Sequence, residues 1–508
     1  MSLQAIAVAL EWPDLDPRLG YRSAGRWTLE SAADMVDVAG ASLQRICEAI
    51  TKITPEVRIA LSLPTLSLPP LFHTAGGQAS QAEILLDQKL ASFCATVSRR
   101  AGLAVVNPRR LAEESPFVQR FDLKSELLVG FPYSIGHADA LAASYARLLA
   151  PPAVKKGIIT DLDDTLWNGI VGESGPDGVS WDFSRHHHLH ALYQNLLSSL
   201  SEQGILIGVA SKNDAHVVEK AFQRGDLLLR AESVFPFEVH WQAKSGSVAR
   251  ILETWNIAAD SVIFVDDSPM ELAEAAAVHP GLHCILFPQT GDYTAGLAVL
   301  KEIRDLCGKE HVSEEDHLRL SSIRQSAEFR TLAEEGAVPE SFLQLAQATV
   351  KLDFFPAAGD HRVLELVNKT NQFNLNGLRR TETDWQRQSS QPESVVVVVS
   401  YEDKFGPLGK IAVIQGQRNG ATLHVSTWVM SCRAFSRRVE HQCLRVLFDR
   451  FHLTDIHFEF APTPKNGPLQ DFFESLLPAR PEGAFTLTRQ EFEALCPVLF
   501  HRVVTDDK

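Results

Sequence analysis

The run Gly157-Ile158-Ile159-Thr160-Asp161-Leu162-Asp163-Asp164-Thr165 (GIITDLDDT) decides how the middle of the chain is read. A short apolar stretch suits a strand buried on both faces, and it ends at two carboxylates spaced two apart. Asp161 and Asp163 therefore fall where a parallel strand stops and its backbone turns outward, the usual place for a functional residue in an open α/β sheet. The same rhythm returns in LIGVASK (Leu206–Lys212), SVIFVDD (Ser261–Asp267) and LHCILFP (Leu282–Pro288), each an apolar run that stops at polar residues or a proline. Helices are read between them. Leu189, Leu192, Tyr193, Leu196, Leu197 and Leu200 form a helical stripe that Gly204 ends, and Ser268-Pro269-Met270-Glu271 has the pattern of a capping box with proline at the first helical position.

Paired carboxylates at a strand end call for a cation. Mg²⁺ favours oxygen ligands in an octahedral shell and keeps room for water and a phosphate oxygen. Asp161 and Asp163 are the expected ligands of such an ion. Only about 50 residues separate Asp161 from Ser211, and a helix uses many of them, so an inserted lid domain is not expected.

DLDDT resembles the first signature of the haloacid-dehalogenase (HAD) superfamily, and Ser211, Lys244 and the Asp266-Asp267 pair match its later motifs in order. The resemblance implies that Asp161 attacks phosphorus while Asp163 protonates the leaving oxygen and then activates water, that Asp266 and Asp267 join Asp161 and Asp163 as metal ligands, and that Thr165, Ser211 and Lys244 bind the phosphate; together these are the parts that in-line phosphoryl transfer needs. The longer string DLDDTLWNGIVGE (Asp161–Glu173) is similar to the FkbH-like family, as are NKTNQFNLNGLRR (Asn368–Arg380), DKFGPLG (Asp403–Gly409), WVMSCRAFSRRVE (Trp428–Glu440) and PTPKNGPLQDFF (Pro462–Phe473). That resemblance implies an enzyme that takes a glyceryl unit from 1,3-bisphosphoglycerate, removes phosphate and passes glyceryl to the thiol of a phosphopantetheinylated acyl carrier protein. It also implies a C-terminal domain like the GNAT acyltransferases.

Cys432 is the thioester candidate, since a helix N-terminus and nearby Arg433, Arg437 and Arg438 would lower a thiol's pKa; the alternative is a packed cysteine. Arg433 to Arg438 has serine and arginine where a GNAT pyrophosphate loop has glycines, which argues against free coenzyme A and leaves the arginines to meet a carrier's phosphate or acidic helix. Lys369, Asn371, Gln372, Asn374, Arg433, Lys465 and Asn466 are candidate substrate or carrier contacts. For the dense polar loop at Lys369–Asn374 the rival reading is satisfied turn amides; for Lys465 and Asn466 it is helix capping. His186, His187, His188 and His190 read as ordinary residues at a helix start.

At 508 residues the chain is long enough for about three domains. The fold class expected is a multidomain α/β protein. Residues 1–150 form an α/β domain that resembles a degenerate SGNH-hydrolase-like (flavodoxin-like) extension, carried by GFPYSIGHADALAASYARLL (Gly130–Leu149) but with no GDS nucleophile motif. Residues 151–310 form the HAD-like Rossmannoid domain without a large cap, 311–345 a helical connector, and 346–508 the GNAT-like α+β domain. In that last segment VVVVVSY (Val395–Tyr401), KIAVIQGQ (Lys410–Gln417) and ATLHVSTWVM (Ala421–Met430) read as an antiparallel meander before an amphipathic helix.

A hydrophobic share of 45% and a charged share of 22% are those of an ordinary globular protein. A net charge of −15 speaks against a broad nucleic-acid surface. No apolar run is long enough for a bilayer and the first residues lack a signal-peptide pattern, so a cytoplasmic location without membrane partners is expected. Seven scattered cysteines without a CxxC pair read as reduced thiols. The alternatives to glyceryl transfer are a plain phosphatase and a non-catalytic biosynthetic scaffold.

Overall fold

The computed structural model describes residues 4–506, apart from 23–27, 56, 71–73, 310–311, 314–315, 325–326, 328–339, 355, 357–359, 405, 432–433 and 436. The chain divides into two compact units, Met1–Ala153 and Val154–Lys508. The segments 154–310 and 346–508 therefore share one unit. Among the described residues no helix is long and apolar enough to cross a membrane.

In the first unit, β1 (Ala5–Ala9), β2 (Arg58–Ser62) and β3 (Leu103–Val105) form a parallel sheet in that order. The helices Leu29–Thr51 and Gln81–Val97 supply Met35, Leu43, Leu86 and Phe93 to its main core. Beyond the strand ends lies a buried polar network. The Glu11 carboxylate accepts from the amides of Thr65 and Leu66 and from the hydroxyls of Thr65 and Tyr133. His137 bonds Thr65 Oγ1 through Nε2 at 2.9 Å and Ser115 Oγ through Nδ1 at 3.0 Å. Burial, and secondarily the charge of Arg120, push the His137 pKa down to about 4, while burial raises that of Glu11 against its hydrogen bonds.

The second unit opens with a five-stranded parallel sheet. β4 (Gly157–Thr160), β5 (Leu206–Ser211), β6 (Val234–Val239), β7 (Val262–Asp266) and β8 (His283–Leu286) lie in the order β6-β5-β4-β7-β8. Both faces are covered, which is why the strands read as apolar runs rather than alternations. Ile158, Ile207 and Ile263 pack on one side with Tyr193 and Leu197 of the helix His188–Glu202 and Ile303 of the helix Tyr293–Cys307. Ile159, Ala210 and Phe264 pack on the other with Val248, Ile251 and Trp255 of the helix Lys244–Trp255 and Leu272 of the helix Pro269–Val278. The Trp255 indole lies against two glycines on adjacent strands. A Cβ at Gly157 would meet it at 2.5 Å and one at Gly208 at 2.8 Å, so only glycine admits the ring.

Helix ends follow their residues. His188–Glu202 stops before Gly204 at φ +77°, and Ser268 caps Pro269–Val278 by accepting the Glu271 amide, giving half of the expected capping box. The segment between β4 and β5 carries the helices Val171–Ser174 and His188–Glu202, that between β6 and β7 the helix Lys244–Trp255, and neither holds an inserted domain.

The remainder forms a seven-stranded mixed sheet. β9 (Thr349–Asp353), β10 (Ser394–Asp403), β11 (Gly406–Asn419), β12 (Thr422–Met430), β13 (Asp455–Phe458), β14 (Phe485–Thr488) and β15 (Arg502–Thr505) are ordered β14-β13-β12-β11-β10-β9-β15. The expected meander is β10-β11-β12, antiparallel throughout, and β13 joins β12 in parallel after the helix Val439–Arg450. The unbroken Val395–Val399 run has a structural cause. Val395, Val397 and Val399 face the larger core with Leu444 and Phe473, while Val398 faces Val363 and Val367 of the helix His361–Lys369.

Candidate active site

Strand β4 delivers Asp161 and β7 delivers Asp266 to the same end of the parallel sheet, because the two strands are hydrogen-bonded neighbours in register, Thr160 opposite Val265. The helix Lys244–Trp255 begins at this edge and brings Lys244 between them. Its ammonium lies 2.6 Å from Asp266 Oδ2 and 3.1 Å from Asp161 Oδ2, and all three side chains are buried. Asp267 completes the group: carboxylate oxygens of Asp161, Asp266 and Asp267 all lie within 4.8 Å of one another.

Three carboxylates with one ammonium leave excess negative charge where solvation is poor. Burial foremost, opposed by Lys244 and aided by Asp266, pushes the Asp161 pKa up to about 6. Burial likewise raises Asp266 against the pull of Lys244, and raises Asp267 together with the charges of Asp161 and Asp164. Burial works to lower the Lys244 pKa, but Asp161 and Asp266 overcome it and hold the lysine above its ordinary value. Asp161 Oδ1 is buried with no hydrogen-bond partner among the described residues. An orphaned carboxylate oxygen within such a cluster is what a hard divalent cation satisfies, and Mg²⁺ fits this donor set.

Asp163 is placed differently from the metal role expected for it. Its carboxylate stands outside the three-carboxylate cluster: Oδ1 accepts from Trp167 Nε1 at 2.9 Å and the Val171 amide at 3.0 Å, and Oδ2 from Asn213 Nδ2 at 3.0 Å. Asn213 also donates to Ser211 Oγ at 3.1 Å, so one amide links the hydroxyl and the second aspartate. Thr165 is fully buried; its carbonyl accepts from His190 Nδ1 at 2.9 Å, and its hydroxyl has no hydrogen-bond partner among the described residues. The histidine run is ordinary structure. His190 is buried, His187 bonds Ser180 Oγ, and His188 stacks on Phe183.

Asn213 and Trp167 carry no signature of their own in a single sequence. Their signal was position alone: Asn213 lies two residues after the strand that ends in Ser211, and Trp167 four after Asp163.

The remaining candidates divide. Cys432 and Arg433 lie outside the described residues. Arg437 is buried with its Nε 3.8 Å from Asp403, and Arg438 donates to the Val498 carbonyl and pairs with Glu340. Asn374 is buried and folds its own loop, donating to the Thr370 carbonyl and accepting from the Gly377 amide. Asn466 does not cap the helix Gly467–Glu474 with its side chain; fully buried, it accepts the Thr463 amide and donates to the carbonyls of Asn374 and Ala461. Asn371 accepts from Arg379, and Gln372 exchanges hydrogen bonds with Asn256. Lys369 pairs with Glu365. The cysteines among the described residues are free thiols.

No family model and no curated protein matches this chain. Solved structures show partial likeness. The N-terminal part of the protein BF1531 from Bacteroides fragilis, which contains a phosphatase domain and was crystallised with Mg, is 21% identical with a TM-score of 0.43, covering 56% of this chain and 75% of that one. An uncharacterised protein from Corynebacterium glutamicum is 18% identical, TM-score 0.21, covering 31% and 98%. A point mutant of the spermidine N-acetyltransferase SpeG from Vibrio cholerae is 14% identical, TM-score 0.21, covering 29% and 96%. Each is a likeness of part of the chain, and the chemistry of the carboxylate cluster stands on its own side chains.

Proposed function

We propose that the chain is a magnesium-dependent phosphatase-type enzyme with Asp161 as nucleophile. The observation that carries this reading is the Lys244 ammonium held between Asp161 and Asp266, with Asp267 closing a buried carboxylate cluster. Asp161, Asp266 and Asp267 would hold the ion, and Mg²⁺ supplies charge neutralisation for the transferring phosphoryl group. In the first step an Asp161 oxygen bonds to phosphorus, the bond from phosphorus to the leaving oxygen breaks, and that oxygen takes a proton from Asp163. In the second, water attacks phosphorus, Asp163 takes back a proton, and the bond to Asp161 breaks to release phosphate. Asp163 Oδ2 is the oxygen with room for that proton, since Oδ1 already accepts two hydrogen bonds. Lys244 offsets charge on the phosphoryl group, and Ser211, held by Asn213, offers it a hydroxyl.

Within this reading the substrate is a phosphoglyceryl unit from 1,3-bisphosphoglycerate, carried through Cys432 to the thiol of a phosphopantetheinylated acyl carrier protein. The FkbH-like motifs from Asp161 to Phe473 support it. The test is intact-mass spectrometry of protein and carrier after incubation with 1,3-bisphosphoglycerate and Mg²⁺, with Asp161→Asn and Cys432→Ala in parallel. Glyceryl mass on the carrier is expected for the unaltered chain, and phosphoglyceryl mass retained in Asp161→Asn. Phosphate release without mass gain on either protein would leave a plain phosphatase.

A further inference from the structure

The first unit carries a helix whose polarity is inverted. In Leu123–Val129 (LKSELLV) the one buried residue is Glu126, while Leu123, Leu127, Leu128 and Val129 are exposed. A surface helix ordinarily turns its apolar stripe to the core and its charges to water. Here the core takes the glutamate and water meets the aliphatic side chains. Val118 before the helix and Phe131 and Ile135 after it add to this apolar surface, Val118 and Ile135 being 89% and 90% exposed. Weighted by exposure, these residues present on the order of 800–1,000 Å², against roughly 300–600 Å² for the largest apolar patch of a typical monomer.

The surface is fixed to the body of the unit. Phe121 and Tyr133 form an antiparallel bridge, with the Asp122 amide donating to the Pro132 carbonyl and the Ser134 amide to the Arg120 carbonyl, both at 2.8 Å. Gly130 ends the helix at φ +75°, its amide donating to the Glu126 carbonyl at 2.9 Å. Both legs of this hairpin are tied to the buried polar network. Arg120 on one leg donates through Nε to the Ser115 carbonyl and through Nη1 to that of Thr65, and Tyr133 on the other donates to Glu11. Phe121 packs on Tyr21 with 4.6 Å between ring centroids. Buried hydrogen bonds therefore hold both legs, and a helix with its leucines outward is a specified part of the fold.

We propose that this face is the contact of a two-fold dimer, its occupant a second copy of the chain. Area is the first argument: a stable interface takes about 800 Å² from each partner, and the face offers that much. Charge is the second. Among the exposed residues from 117 to 135 the charged ones are Asp122 and Lys124, so the face carries no net charge in a chain of −15. Two chains of like charge approach best through such a neutral region. One anion and one cation on the same face also let a two-fold axis pair Lys124 with Asp122 of the partner subunit, as isologous contacts do. An anionic bilayer calls instead for several lysines and arginines around the apolar residues, and here one lysine is offset by one aspartate. The inference does not depend on the phosphatase reading.

The experiment is sedimentation velocity of the full chain from nanomolar concentrations to about 100 μM, the span over which interfaces of this area dissociate. A species of twice the chain's mass is expected. Leu128→Glu and Ile135→Glu, both at exposed positions, should each weaken the dimer at least tenfold. Val278→Glu, at an exposed apolar position in the second unit, should leave it unchanged, and circular dichroism and the unfolding midpoint confirm that each variant folds. Amides of residues 123–131 should exchange more slowly in the dimer than in the monomer obtained by dilution or substitution. A monomer at every concentration, a dimer that both glutamate substitutions at the face leave intact, or slow exchange at 123–131 in a species of one chain's mass would overturn the proposal. So would co-sedimentation of the monomer with vesicles of anionic phospholipid that the same substitutions abolish, which would assign the face to a membrane.

Discussion

The side-chain amides of Asn256 and Gln372 exchange two hydrogen bonds, Nδ2 to Oε1 at 3.0 Å and Nε2 to Oδ1 at 2.8 Å, 116 residues apart in sequence. Asn256 sits at φ +50° just past the helix Lys244–Trp255, a left-handed position that asparagine tolerates. The pair ties the parallel-sheet domain to the loop after the helix His361–Lys369. Gln372→Ala removes both bonds and is expected to destabilise the second unit by about 1–2 kcal/mol. Amide exchange should quicken at residues 368–374 and 254–258, as followed by mass spectrometry.

Lys244 makes the cluster tolerable without metal. Lys244→Met takes away the one cation among three buried or half-buried carboxylates, a change on the order of 3–5 kcal/mol when a buried charge loses its partner. The variant should unfold at lower temperature in EDTA, and Mg²⁺ should raise its midpoint by more than it raises that of the unaltered protein. Equal Mg²⁺ responses would mean that the ion binds elsewhere.

In the proposed reaction Asp161 supplies the attacking oxygen, so Asp161→Asn is expected to lower Mg²⁺-dependent hydrolysis of p-nitrophenyl phosphate by about a thousandfold or more. Asn213→Ala acts through Asp163 and Ser211 instead. Misplacing these groups should lower kcat by roughly 10- to 100-fold with a smaller change in KM, and Asn213→Asp, which keeps the shape but replaces the donor with an acceptor, should not rescue it.

In the first unit, His137 has a pKa of about 4 in the fold against 6.5 for an ordinary histidine. Between those values the unfolded chain binds the proton and the folded chain does not, so the contribution of this residue is fully present above pH 6.5. It is lost as pH falls towards 4, by an amount on the order of 3 kcal/mol. Glu11, raised by burial, works in the opposite sense, so the comparison needs His137→Gln. The variant should exchange faster than the unaltered protein around Thr65 at pH 7, and the gap should narrow between pH 6.5 and 4.

The carboxylate cluster was legible because its members sit at strand ends, where an apolar run marks the strand and the next residue is fixed by geometry; Asp161, Ser211 and Asp266 all follow that rule. Lys244 was legible through resemblance, and only the structure shows it bridging two aspartates. What the sequence could not give was direction. Asp163 is two residues from Asp161, yet its carboxylate turns to Trp167 and Asn213, since the loop after β4 curls back on itself with Asp164 at φ +50°. Asn374 reads as a ligand contact or a satisfied turn amide, and Asn466 as a helix cap or a ligand contact, because polar loops look alike whether they face solvent or saturate their own backbone. The Glu11-Thr65-His137 network joins residues 54 and 72 apart in sequence, and no local pattern announces it.

The two glycines under Trp255 have a reach beyond their own strands. The helix that ends in Trp255 begins with Lys244, so the depth at which the indole settles on Gly157 and Gly208 fixes the height of the ammonium at the far end. A methyl group at either glycine would act as a shim under one end of a rigid beam, tilting the charge out of line with Asp161 and Asp266. Two hydrogen atoms thus calibrate an electrostatic contact a whole helix away.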